Sequence, residues 1–137
     1  MSPAKPAYVL DSYALLTYLN GEAGQTRVQE ILALALSREV EVYLGMINLG
    51  ETLYIIERRR GLSQAQRALS LIEHLPLTIC DGSRVLVLDA AHIKAGHSIS
   101  YADAFVAALA QSKNAIVVTG DPEFEAVAEL VQIEWIK

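Results

Sequence analysis

Four acidic side chains, Asp11, Glu51, Asp103 and Asp121, stand where the sequence gives them more than a solvated role. Asp103 lies in Tyr101-Ala-Asp-Ala-Phe-Val-Ala-Ala-Leu-Ala110, which reads as an Ala-rich helix, apolar almost all round. A helix of that kind is buried. Ile99 and Ala107, one turn either side of Asp103, are apolar, so its carboxylate lies on a stripe that faces protein. A buried carboxylate without a partner is costly, and it protonates or finds a cation. Asp11 ends one strand-like run, Asp121 lies two residues beyond another, and Glu51 falls near the middle of a helical stretch. Suppose the four converge. Two unit charges about 5 Å apart at an effective dielectric near 20 repel by roughly 3 kcal/mol. Mg²⁺ or Mn²⁺, hard and oxygen-loving, is the natural counter-charge. Such an ion acidifies water and stabilises charge on a leaving oxygen, which is the chemistry of phosphodiester hydrolysis. No His or Cys pairing has the spacing of a zinc site.

Each acid also has a plainer role. Asp11 and Asp121 fit helix N-caps, and Pro122 suits a first helical position. Glu51 fits a solvated residue pairing with Arg58, and Asp103 a salt bridge to a distant Arg. Capping and metal ligation do not exclude one another. Asp81 reads as a turn or cap residue and Asp89 as an exposed helix position, so both stay outside the set.

The elements that must position these acids follow from hydrophobic period and punctuation. Strands are expected at 8–10, 40–44, 77–80, 115–119 and 132–136. Helices are expected at 12–19, 25–39, 46–60, 63–74, 84–95, 101–110 and 123–130, with Ser63, Asp81-Gly-Ser83 and Ser100 as starts. Gly50 inside the third helix costs roughly 1 kcal/mol relative to Ala, which suggests a close approach to the backbone. Alternating strands and helices predict one three-layer α/β/α domain with a mostly parallel five-stranded sheet. Ligands of such sheets bind beyond the carboxyl ends of the strands. That gives acids far apart in sequence a shared crevice.

Composition bounds the alternatives. With 137 residues, 53% hydrophobic and 20% charged, the chain is expected to be one globular domain spanning 1–137. The absence of a long apolar run and of a signal-peptide core favours the cytoplasm over a membrane. A lone cysteine, Cys80, forbids an internal disulfide and reads as a packed thiol. The net charge of −5 argues against a passive nucleic-acid binder but not against a nuclease, whose bound cations supply the missing positive charge.

Val9-Leu-Asp-Ser-Tyr-Ala-Leu-Leu16, Ile47-Asn-Leu-Gly-Glu-Thr52, Ser100-Tyr-Ala-Asp-Ala-Phe-Val-Ala-Ala108 and Val118-Thr-Gly-Asp-Pro-Glu-Phe124 resemble, in order, the four motif blocks of the PIN-domain family. The length is most similar to that of VapC-type toxins of toxin–antitoxin pairs. The resemblance implies a Mg²⁺- or Mn²⁺-dependent endoribonuclease with Asp11, Glu51, Asp103 and Asp121 as catalytic and metal-binding acids. It makes Thr119 and Ser12 supporting polar residues. It also implies an RNA substrate, a homodimer, and an antitoxin whose tail enters the acidic cleft, sometimes with a basic side chain near the metal.

Two other functions fit parts of the pattern. A phosphoryl-accepting signalling domain would use Asp81 after the third strand, although no acidic pair follows the first strand. A catalytically silent binding protein would leave four buried acids without a reason. For substrate contacts, Arg58-Arg-Arg60 fits either RNA phosphate or a solvated helix end favoured by the dipole. Tyr13, Tyr18, Tyr54 and Tyr101 fit either base stacking or half-buried packing. His74, His92 and His97 match no metal or acid–base spacing; His97, before the acidic helix, is assigned to the surface.

Overall fold

The computed structural model describes residues 4–136. Its strands are β1 (Ala7–Leu10), β2 (Glu41–Gly45), β3 (Thr78–Cys80), β4 (Ile116–Thr119) and β5 (Ile133–Trp135). Its helices are α1 (Ser12–Asn20), α2 (Gln25–Leu36), α3 (Met46–Arg60), α4 (Leu62–Glu73), α5 (Arg84–Gly96) and α6 (Tyr101–Lys113). The strands form one sheet in the order β3-β2-β1-β4-β5, and every ladder is parallel. The sheet is therefore more regular than the mostly parallel one the sequence predicts.

Alternation along β1 divides the core between two faces. Val9 and Val117 point toward α5 and α6. Tyr8, Leu10 and Val118 point toward Ala14 of α1 and Val28 and Ile31 of α2. A smaller cluster of Leu15, Leu44, Leu49 and Ile72 seats α3 and α4. Every residue of α6 from Asp103 to Ala110 is buried. Small side chains at 104, 107, 108 and 110 let this helix lie close to the sheet.

The strand order places a topological switch at β1 and β4. From β1 the chain adds β2 and β3 on one side, then returns to add β4 and β5 on the other. Loops leaving β1 and β4 run in opposite directions there and leave a crevice at the carboxyl edge.

Four local expectations are corrected. The helix predicted at 123–130 is a short 3₁₀ segment, Pro122–Val127. Three residues per turn eclipse i and i+3, so Phe124 and Val127 both reach the core. The helix predicted at 25–39 stops at Leu36, because Arg38 adopts φ 65° and the Glu39 N–H donates to the Leu34 carbonyl. That left-handed closure satisfies the helix end without glycine. Ser63 does not cap α4, which begins at Leu62 with Gly61 as cap and no side-chain cap. One glycine at φ 90° both ends α3 and starts α4. Finally, Gly50 is exposed, and nothing lies within 4 Å of where a Cβ would stand.

The close approach lies instead at Gly120, between β4 and Asp121. A Cβ there would stand 2.3 Å from Tyr13 Cε1 and 2.8 Å from the Ile136 carbonyl oxygen. Gly120→Ala is therefore expected to lower stability by about 2–3 kcal/mol through overpacking. Gly50→Ala is expected to raise it by roughly 0.5–1 kcal/mol. Urea unfolding of the two variants checks the contrast, and equal effects would contradict it.

Candidate functional site

Asp11 leaves the end of the central strand into α1 and is 1% exposed. Its Oδ1 accepts the Ala14 N–H at 2.8 Å, so it is the N-cap of α1. Its Oδ2 accepts the hydroxyl of Thr119 from the end of β4. The same hydroxyl oxygen accepts the Asp121 N–H at 2.9 Å. Thr119 thus ties the turn after β4 to the end of β1. Asp121 caps the 3₁₀ segment through the Glu123 N–H at 2.9 Å. Both aspartates do serve as caps, and the cap geometry is what holds their backbone at the crevice. Ser12 is half-buried, and its hydroxyl makes no hydrogen bond among the described residues.

Asp103 enters from the first turn of α6, 6% exposed. Its N–H donates to the Ser100 hydroxyl at 3.2 Å. The Ser100 N–H is held by Glu123, reaching across from the 3₁₀ segment. In an ordinary capping box the acid three residues into the helix would take that N–H. Here Glu123 takes it, so the Asp103 carboxylate is not spent on that N–H. One carboxylate oxygen from each of Asp103, Asp121 and Glu123 lies within 4.8 Å of the others.

Glu51 comes from the middle of α3. Its Oε1 is buried with no hydrogen-bond partner. Asn48, one turn earlier on the same face, is fully buried; its amide donates to the Ala102 carbonyl at 3.1 Å and its Oδ1 is likewise unpartnered. Asn48 therefore fastens α3 to the start of α6 beside Asp103.

The electrostatics follow from this crowding. Burial pushes the Asp11 carboxyl up to about 7, against the hydrogen bonds from Thr119 and Ala14, and repulsion by Asp103 and Asp121 raises it further. Burial also pushes Asp103 up to about 7, aided by repulsion from Glu123, Asp121 and Glu51 and opposed by Ser100. Among the described residues no Lys, Arg or His forms an ion pair with any of these five acids. Among the described residues no distant Arg pairs with Asp103. Arg58, the partner considered for Glu51, lies over the Tyr54 ring at 5.1 Å.

The structure thus groups Asp103 and Asp121 with Glu123, and places Asp11 near enough to Asp103 and Asp121, and Glu51 near enough to Asp103, for their charges to repel, without bringing either into that close group. Glu123 and Asn48 were missed in the sequence. Asn48 carried a signal, the i, i+3 relation that puts it on the face of Glu51. Glu123 carried one only if Pro122 is read as starting a tight turn rather than a regular helix. Asp81 stands apart, exposed at the end of the outermost strand β3. His97 is half-buried, its Nδ1 at 2.9 Å from the Ile93 carbonyl oxygen and its Nε2 at 3.5 Å from Glu129.

A half-buried to buried all-oxygen set, with an orphaned carboxylate oxygen and no protein cation among the described residues, is what a hard divalent ion would complete. The residues present fit such an ion.

The model of the PIN domain family matches residues 8–130. No curated protein matches the chain. Among solved structures, VapBC2 from Rickettsia felis, bound to a DNA fragment from its promoter, aligns with TM-score 0.76 at 20% identity, covering 96% of this chain and 99% of that one. DNA-bound VapBC from Salmonella typhimurium aligns with TM-score 0.74 at 21% identity, over 94% and 97%. VapC20 from Mycobacterium tuberculosis, a toxin that cleaves the sarcin-ricin loop, aligns with TM-score 0.71 at 20% identity, over 91% and 97%. At these identities the structural likeness establishes the fold, which all three share with this chain.

Raised folded-state carboxyl values carry a sign. Asp11 and Asp103 would titrate near 3.8 when unfolded and titrate at about 7 when folded. The folded state therefore binds more protons between those values, and metal-free stability falls as pH rises from about 4 to about 7. In EDTA the protein is expected to unfold at higher urea at pH 5.5 than at pH 8. Asp103→Asn should raise stability at pH 8 by about 1–2 kcal/mol and flatten the slope. Denaturant curves across that range would contradict the account if stability rose with pH.

Proposed function

The chain belongs to the PIN domain family, and on that premise we propose that it is a Mg²⁺- or Mn²⁺-dependent endoribonuclease, the toxin of a toxin–antitoxin pair. The observation that carries the reading is the mutual repulsion of Asp103 with Asp11, Glu51 and Asp121 near the ends of β1 and β4, with no basic side chain among the described residues paired to them. In this reading those four hold the ion, with Glu123 as a fifth carboxylate beside Asp103 and Asp121. When bound, a divalent ion supplies positive charge for the phosphate and acidifies water next to it.

The chain's own side chains do the rest. Thr119 and the Ala14 N–H hold both Asp11 oxygens, so that carboxylate is oriented before any ligand arrives. Ser100 and Glu123 fix the start of α6 and so the direction of Asp103. Asn48 sets α3 against α6 and with it the distance from Glu51 to Asp103. Burial of Asp11 and Asp103 lowers the local dielectric and strengthens the charge interactions they make.

The similar structures from Rickettsia felis and Salmonella typhimurium are toxin–antitoxin complexes, which supports an antitoxin partner here. Exposed Leu62 and Leu71 on α4 and Val85 and Leu88 on α5 support surfaces that a partner and a second copy would cover. No helix of the described residues is long and apolar enough to cross a membrane, which is compatible with the proposed cytoplasmic site of action.

Purified protein incubated with total cellular RNA in Mg²⁺ or Mn²⁺ is expected to cut at discrete positions, readable by mapping fragment ends. EDTA should abolish cutting. Asp103→Asn and Asp11→Asn should each reduce it by at least about 100-fold, the scale of losing one preorganised electrostatic group. Cleavage undiminished in either variant, or in excess EDTA, would sink the proposal.

A further inference from the structure

The three consecutive arginines at the end of α3 do not act together. Successive residues of a helix point about 100° apart, and each guanidinium meets a different surface. Arg58 lies over Tyr54. Arg60 borders a groove against α4 with Gln64 and Arg67. Arg59 borders a cavity of about 360 Å³ whose other walls are Tyr13, Leu16 and Thr17 of α1 and Glu22 and Ala23 of the following loop. Among the described residues Arg59 forms no ion pair, in a chain of net charge −5.

This cavity adjoins the acidic crevice. Tyr13 is two residues from Asp11, and its ring lies against Gly120, the residue between Thr119 and Asp121. The missing Cβ at Gly120 is what lets the ring seat there, and the contact makes Tyr13 a fixed aromatic plate with 39% of its surface open. Arg59 and Glu51 share α3 eight residues apart, about 12 Å along the axis.

Resting on the ribonuclease reading above, we infer that the cavity between α1, the loop after it and α3 receives one unpaired nucleotide flanking the cleaved bond and selects guanine there. Unpaired bases are recognised by stacking on aromatic rings and by hydrogen bonds to their Watson–Crick edges. Tyr13 provides the stacking face and Arg59 the cation for the flanking phosphate. Glu22 provides an acceptor-only carboxylate with two oxygens. Guanine alone presents two donors side by side on that edge, N1–H and the 2-amino group, so a carboxylate opposite it favours guanine over the other three bases.

The test uses the full chain free of any partner, with Asp103→Asn present so that RNA is not cut, in Mg²⁺. Labelled oligouridylate pentamers carrying one guanosine, inosine or adenosine are titrated by fluorescence anisotropy. The guanosine oligomer is expected to bind about tenfold tighter than those with inosine, which lacks the 2-amino group, or adenosine. Glu22→Gln, at an exposed loop position, should abolish that preference with the circular dichroism spectrum unchanged. Arg59→Ala should weaken all three oligomers about tenfold and leave the preference intact. Equal binding of the three oligomers, or a preference that survives Glu22→Gln, overturns the inference. So does an Arg59→Ala variant that loses a partner protein but not RNA, which would make the cavity a protein-docking surface. If unmodified protein cuts cellular RNA without guanine beside the cuts, the subsite fails and the nuclease stands; if it neither cuts nor binds RNA, both fail.

Discussion

The structure depends on one constraint: several carboxylates are gathered at the carboxyl edge of a parallel sheet, and among the described residues no protein cation pairs with them. Asp11 is buried at the end of the central strand, with Asp103 and Asp121 close enough to raise its proton affinity. Such a group is unstable by itself. It protonates, it opens, or it binds a cation. The surrounding structure is arranged so that opening is not available. Asp11 and Asp121 are caps whose backbones are fixed, and Thr119 is bonded to both segments. What remains is protons or a metal, and these compete for the same oxygens.

The rigidity comes from the sheet and from α6. A switch in strand order puts the β1 and β4 ends side by side. The buried, Ala-rich α6 packs close beneath them and delivers Asp103 from its first turn. A carboxylate on the first turn of a helix sits at the positive end of the dipole, which partly offsets its desolvation. Ser100 and Glu123 then replace the usual capping arrangement, so the helix start is satisfied without consuming Asp103. Stability and site geometry are therefore set by the same bonds.

Much of this was legible in the sequence because it depends on local pattern. The five strands and the burial of the Asp103 helix follow from period and composition, and the two aspartate caps from residue type. The approach of Glu51 to Asp103 needed the fold as well, since nothing near it in sequence points toward the sheet edge. Other features depend on tertiary approach and had no local mark. Gly120 is tight because Tyr13 and Ile136 come from far away in the chain, whereas Gly50, the more conspicuous helical glycine, touches nothing. The segment after Pro122 looked like a regular helix, but the short path into β5 and the need to bury Phe124 and Val127 favour a tighter turn. That change of turn is what brings Glu123 back to Ser100. The arginine run, which in sequence fits either a phosphate contact or a solvated helix end, meets three separate surfaces in space.

The central claim is that the acidic crevice is a divalent-cation site, and diffraction tests it most directly. Crystals of the protein grown with Mn²⁺ would be measured near the manganese absorption edge for an anomalous difference map. The account predicts a strong peak between Asp11, Asp103 and Asp121, with the orphaned Oε1 of Glu51 turned toward it directly or through water. A map without a peak there, or a lysine or arginine of a second molecule seated among the carboxylates in its place, would contradict it.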